Sequence, residues 1–170
     1  MGYSFQAYAV DEYRIRDFWR SGQEEIISEA MGSPLGAFRR QQFPDIATAL
    51  REIANGTVPV GDQPDGAAHL YATEILCGLW GVEAGPEIRL GPRGIAAAPE
   101  LKALLASSPA FYQIRTRDFP LMCGWGAKQV ERRLRVVQRW PTRLTLEREI
   151  YNGWLRTAVE HNVSLVVFYY

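Results

Sequence analysis

Residues Tyr3 to Val10 alternate, with Tyr3, Phe5, Ala7 and Ala9 on one face and Ser4, Gln6, Tyr8 and Val10 on the other, which predicts a strand at the start of the chain. Asp11 then suits a helix N-cap, and Tyr13, Ile15, Phe18 and Trp19 suggest a short helix. Ser21 with Glu24 makes a capping-box pattern for a helix carrying Ile26, Ile27, Ala30 and Met31 and stopping at Gly32. Ser33-Pro34-Leu35-Gly36 reads as a turn. Asp45 opens a helix through Ile46, Ala49, Leu50 and Ile53, closed by Gly56. Ala67 to Trp80 is apolar on nearly every side, as a central core helix is.

Gly81 to Pro92 holds two Gly-Pro steps and reads as an irregular connection, and Pro99 to Ser107 as a short helix. Ala110 to Thr116 is a candidate strand, and residues 118–126 a compact loop. A helix is predicted from about Ala127 to Trp140, ended by Pro141, and another from about Leu144 to His161. Ser164 to Tyr170 is β-branched and aromatic, as a buried strand is. An isolated strand leaves its backbone groups unpaired, so the two terminal strands are expected to share a sheet. The expected fold is α+β: a small mixed sheet including the N- and C-terminal strands, covered by about five or six helices, in one domain spanning 1–170.

Composition narrows the class of protein. Apolar residues make up 47% of the 170-residue chain, enough for a core without disulfide or metal. Lys plus Arg and Asp plus Glu both number 19, so no global basic excess favours nucleic acid as a partner. Cys77 and Cys123 stand far apart among apolar neighbours and form no metal-ligand pair, so no metal and no cofactor is implied. No apolar run approaches the roughly 18 residues of a membrane span, no leader pattern is visible, and Gln6 breaks the myristoylation pattern after Gly2. The expected location is cytoplasmic, and the oligomeric state stays open.

Four segments carry a resemblance: the opening Met-Gly-Tyr-Ser-Phe-Gln-Ala-Tyr-Ala-Val-Asp, the stretch from Leu70-Tyr71 to Leu76-Cys77, Asp118-Phe119-Pro120 with Gly124, and the close from Trp154-Leu155 and Ala158 to Val167-Phe168-Tyr169. In their order the chain resembles uncharacterised bacterial, mainly actinobacterial, domains of unknown function, loosely YfbM-like. That resemblance implies a bacterial cytoplasmic α/β protein and carries no catalytic residue over.

The sequence holds no GxxxxGK[ST] phosphate loop, GxSxG elbow, HExxH or GxGxxG. His69 and His161 read as incidental, and nothing supports a Cys77–His161 nucleophile pair. The most distinctive charged feature is Lys128, Arg132, Arg135 and Arg139, spaced four, three and four apart. They fall in one helical stripe about 60° wide. This is a candidate docking edge for an acidic protein surface or, less favoured because the total charge is balanced, for nucleic-acid phosphates, weighed against a plain solvated face.

Glu74 sits on the apolar Ala67–Trp80 helix and needs a partner if buried; Arg133, which intrudes on the apolar side of its own helix, is one candidate. Aromatic residues Phe119, Trp125, Trp140, Tyr151 and Trp154 read mainly as core. Two functional expectations result. The first is a cytoplasmic protein–protein interaction domain without catalytic activity. The alternative is an enzyme or small-ligand binder with a pocket near Glu74, Asp118 and Trp125, with Glu149 also in its lining.

Overall fold

A computed structural model describes residues 3–58, 62–63, 66–107, 115–116, 121–136 and 140–170. In chain order the elements are β1 (Tyr3–Val10), α1 (Glu12–Phe18), α2 (Glu24–Gly32), α3 (Pro34–Gln42), α4 (Ile46–Asn55), β2 (Asp62–Gln63), α5 (Gly66–Trp80), β3 (Gly81–Glu83), β4 (Ile88–Leu90), α6 (Pro92–Ala97), α7 (Pro99–Leu105), β5 (Arg115–Thr116), β6 (Leu121–Trp125), α8 (Ala127–Arg135), α9 (Thr145–Glu160) and β7 (Ser164–Tyr169). A single 3-10 turn, Thr142–Leu144, precedes α9. The packing divides the chain into two compact units: Met1–Val10 with Val82–Ala110 and Met122–Tyr170, and Asp11–Gly81 with Phe111–Leu121.

The first unit holds a five-stranded sheet in the order β3-β1-β7-β6, with β4 also paired to β1. The first and last strands are antiparallel neighbours, in register from Phe5 opposite Tyr169 to Val10 opposite Ser164. Along the first half of β1, Tyr3 to Phe5 face Leu90 to Ile88 of β4. Every residue of β7 is buried, which explains the apolar run that follows Ser164. Helix α9 presents Tyr151, Trp154, Leu155 and Ala158, spaced i, i+3, i+4 and i+7, to the same core as Phe5, Ala7, Leu165 and Val167. Strand β6 approaches β7 closely: a Cβ at Gly124 would lie 2.5 Å from the Leu165 carbonyl oxygen. Only glycine allows that approach.

The second unit packs α2, α4 and α5 around Ile27, Leu50, Ile53, Ile75 and Leu76. The Asp11 carboxylate caps α1 by accepting from the Tyr13 amide at 3.0 Å. Gly56 closes α4 in the left-handed conformation, φ +67°. A short parallel pair, β2 with β5, places Asp62 opposite Arg115.

The expected count of five or six helices is corrected: the described residues form nine α-helices beside the small sheet's strands in the chain. Ser33-Pro34 does not make a free turn. Pro34 occupies the first turn of α3, and the Ser33 hydroxyl accepts from the Gly36 amide at 3.0 Å. Pro92 likewise opens α6. The stretch Gly81 to Pro92 contains β3 and β4, because β1 offers an edge to strands of three residues. The expected loop 118–126 contains β6. Helix α8 stops at Arg135, short of Trp140, where Val136 turns extended. The β-branched pair Val136-Val137 is a poor continuation of a helix.

Candidate functional site

Helix α8 is preceded by Gly126 at its N-cap, whose amide donates to Gln129 Oε1 at 3.1 Å. Val130 is buried beneath it, while Lys128, Arg132 and Arg135 are exposed. Arg135 lies 3.6 Å from Glu131 on the same helix, an exposed pair of small energetic weight. Lys128 and Arg132 have no ion-pair partner among the described residues. Arg139 lies outside the described residues.

Arg133 turns inward. It pairs with Glu100 of α7 at 3.2 Å, and its guanidinium lies 4.4 Å from the centre of the Trp125 ring. The partner of Glu74 is therefore not Arg133. Glu74, 2% exposed, receives two bonds on one carboxylate oxygen from Arg39 of α3: Nη2 at 2.6 Å and Nε at 2.9 Å. Arg39 also lies 4.3 Å above the Tyr71 ring, and that ring stacks on Phe43 at 4.3 Å. Burial pushes the Tyr71 hydroxyl up, the Arg39 charge opposes this, and Glu74 adds to it. The Glu74 carboxylate thus belongs to a packed ion pair between two helices.

The expected pocket residues divide between the two units, with Glu74 in one and Trp125 and Glu149 in the other. Asp118 lies outside the described residues. Trp125 is buried, and its indole N–H donates to the Tyr151 hydroxyl at 3.1 Å. Trp140 and Trp154 flank Tyr151 with ring centres at 5.8 and 6.2 Å. This aromatic set is core. Glu149 is exposed on α9.

Burial also makes three further groups weaker acids. It pushes the Cys123 thiol from an ordinary 9.0 up to about 12. It also pushes up Cys77, with Glu74 adding to the effect, and the Tyr151 hydroxyl. A raised folded value stabilises the fold fully below the unfolded value, and that contribution is lost as pH rises through the folded one. Unfolding midpoints in urea should therefore hold level up to about pH 9 and fall between pH 9 and 12. Each such group steepens the fall by up to about 1.4 kcal/mol per pH unit. Cys123→Ala should flatten the slope, and an unchanged slope would contradict the assignment.

A cleft of about 490 Å³ opens within the second unit, with Gln42, Phe43, Asp45, Thr48, Glu52 and His69 in its wall. Phe43 precedes Pro44, which disfavours a helical residue there and ends α3, so the chain bends around this cavity before α4 begins. His69, in the first turns of α5, lies 2.6 Å through Nε2 from Glu52 Oε2 of α4. The sequence carried one sign of this wall: Asp45, Thr48 and Glu52 are spaced i, i+3 and i+7 on one stripe of a helix. A smaller cavity of about 230 Å³ lies among Arg14, Asp17, Phe18, Gln23, Ile26 and Trp80.

The described residues contain no group of three or more His, Cys, Asp or Glu placed to hold a metal ion. No described helix is long and apolar enough to cross a membrane. Fold and side chains together define an α+β protein with a basic helix edge and an acidic cleft. The family model for Domain of unknown function (DUF7691) matches residues 1–170, and the chain belongs to that family. No curated protein and no solved structure matches the chain.

Proposed function

We propose that the protein is a cytoplasmic, non-catalytic docking module whose partner presents an acidic protein surface to α8. The supporting observation is the exposure of Lys128, Arg132 and Arg135 on one edge of a helix anchored from behind by Val130 and by Arg133. Arg139 belongs to the same sequence stripe. Two of these cations, Lys128 and Arg132, have no ion-pair partner among the described residues, so a carboxylate-rich surface meets charges not neutralised in place. The balanced total charge favours a local protein contact over phosphate-backbone tracking, which draws on a broad basic surface.

The test compares tagged wild type with Arg132→Glu/Arg135→Glu in cells that express the protein naturally. These side chains are exposed, so the variant should keep the wild-type circular dichroism. An acidic protein recovered with wild type should be lost with the variant. Retested with purified components, its affinity should fall at least about tenfold and weaken with added salt. Identical capture profiles, or recovery of nucleic acid alone, would refute the docking edge.

A further inference from the structure

We infer that the acidic surface met by α8 belongs to a second copy of this chain, and that it is the exposed edge of α2. The inference rests on the docking reading of α8 and names its partner. On α8, Lys128 and Arg132 are spaced i, i+4 and exposed, with no ion-pair partner among the described residues. On α2, Glu25 and Glu29 have the same spacing and exposure with the opposite sign, and they too have no ion-pair partner among the described residues. Glu24 beside them faces Arg51, and Glu131 of α8 faces Arg135. The two couples therefore carry the charge left over once each helix's own pairs are made. Four residues rise about 6 Å along a helix axis, so two carboxylates on one copy can meet two cations on another in register.

Each couple is unfavourable where it stands. Like charges at i, i+4 on one helix repel. Lys128 lies in the first turn of α8, where the free amides already present positive charge, and no acidic residue shares that turn. Glu29 lies in the last turn of α2, at the carbonyl end, and no basic residue shares that turn. Antiparallel docking sets Lys128 against Glu29 and Arg132 against Glu25. It relieves both repulsions, gives each misplaced charge a counter-ion and opposes the two helix dipoles. The chain has 19 basic and 19 acidic residues, so no net charge keeps copies apart.

Exposed ion pairs are individually weak, so self-association is read by sedimentation of the purified chain up to about 1 mM. At about 0.1 M salt the average mass should rise above the monomer's with concentration. The rise should shrink at about 1 M salt, where the screening length falls from about 10 Å to about 3 Å. Lys128→Glu/Arg132→Glu and Glu25→Lys/Glu29→Lys can each set only like charges together, and each should weaken self-association at least about tenfold. Mixed one to one, they should associate within about threefold of wild type, because α8 of one then meets α2 of the other with opposite signs. Glu25→Gln/Glu29→Gln, which removes charge and keeps size, should weaken association less than reversal does. A monomeric mass at every concentration, association indifferent to both reversals, or a mixture no better than its components would overturn the inference. A monomeric wild type that still captures a foreign acidic protein, lost on Arg132→Glu/Arg135→Glu, would overturn the second-copy assignment alone and leave the docking reading standing.

Discussion

Replacing Glu74 by alanine is expected to destabilise the protein by about 3–5 kcal/mol. The carboxylate is 2% exposed and the Arg39 side chain 12% exposed, so the cost of taking both charges out of water has already been met on folding. Their two hydrogen bonds at 2.6 and 2.9 Å offset that cost. Removing Glu74 deletes the offset and leaves the Arg39 guanidinium over the Tyr71 ring without its carboxylate. Arg39→Ala should cost a similar amount, because a nearly sealed carboxylate then loses its cation.

The exposed pair Arg51–Glu24, with side chains 51% and 62% exposed, is the control; removing it should cost less than about 1 kcal/mol. The double variant Arg39→Leu/Glu74→Leu should recover most of the loss, since apolar side chains of similar size need no pairing. Urea unfolding of wild type, the two alanine variants and the double leucine variant makes the comparison. A Glu74→Ala cost below 1 kcal/mol, or a double variant no better than the singles, would mean that water reaches the pair and that it does not hold α3 to α5. The same comparison bears on function, because a carboxylate needed for packing is not available as an acid or base.

What the sequence disclosed followed the range of the interactions involved. Alternation over eight residues was enough to place β1, and β-branched density enough to place β7. Their adjacency followed from the need to pair backbone groups, as the register from Phe5–Tyr169 to Val10–Ser164 shows. Helices α4 and α9 were legible because each repeats an apolar stripe over several turns, and α5 because it is apolar on nearly every side. Strands β3 and β4 were hidden because three residues carry no usable period, and only the edge of β1 makes them strands. Helices α3 and α6 were hidden because Ser-Pro and Gly-Pro suit a turn and a helix start equally well.

The candidate sites divide in the same way. The basic edge of α8 is local periodicity, so it could be read directly, apart from the early stop at Val136. The partner of Glu74 could not be read, because Arg39 lies 35 residues away and reaches it only through the packing of α3 on α5. His69 and Glu52, 17 residues apart, meet only because α4 packs on α5. An isolated histidine in the sequence carries no sign of such a neighbour.

Replacing Trp154 by alanine should cost about 3–5 kcal/mol, the usual range for emptying a large aromatic site, and so a large part of a stability that for most domains totals about 5–15 kcal/mol. Trp154 is fully buried, and three contacts tie α9 to the chain between β3 and β4. Its indole N–H donates to the Pro86 carbonyl at 3.0 Å. Gly85, at φ +149°, passes so near that a Cβ there would lie 3.2 Å from Trp154 Cδ1. One turn on, the Thr157 hydroxyl donates to the Ala84 carbonyl at 3.1 Å. Alanine empties the ring volume and leaves the Pro86 carbonyl without its donor. Phenylalanine restores much of the volume but not the donor, so Trp154→Phe should cost about 1–3 kcal/mol. Comparing the two in urea separates packing from hydrogen bonding. Equal costs would place the stabilisation in the Pro86 bond, whereas a phenylalanine variant as stable as wild type would show that the indole N–H contributes little and that α9 is held by shape alone.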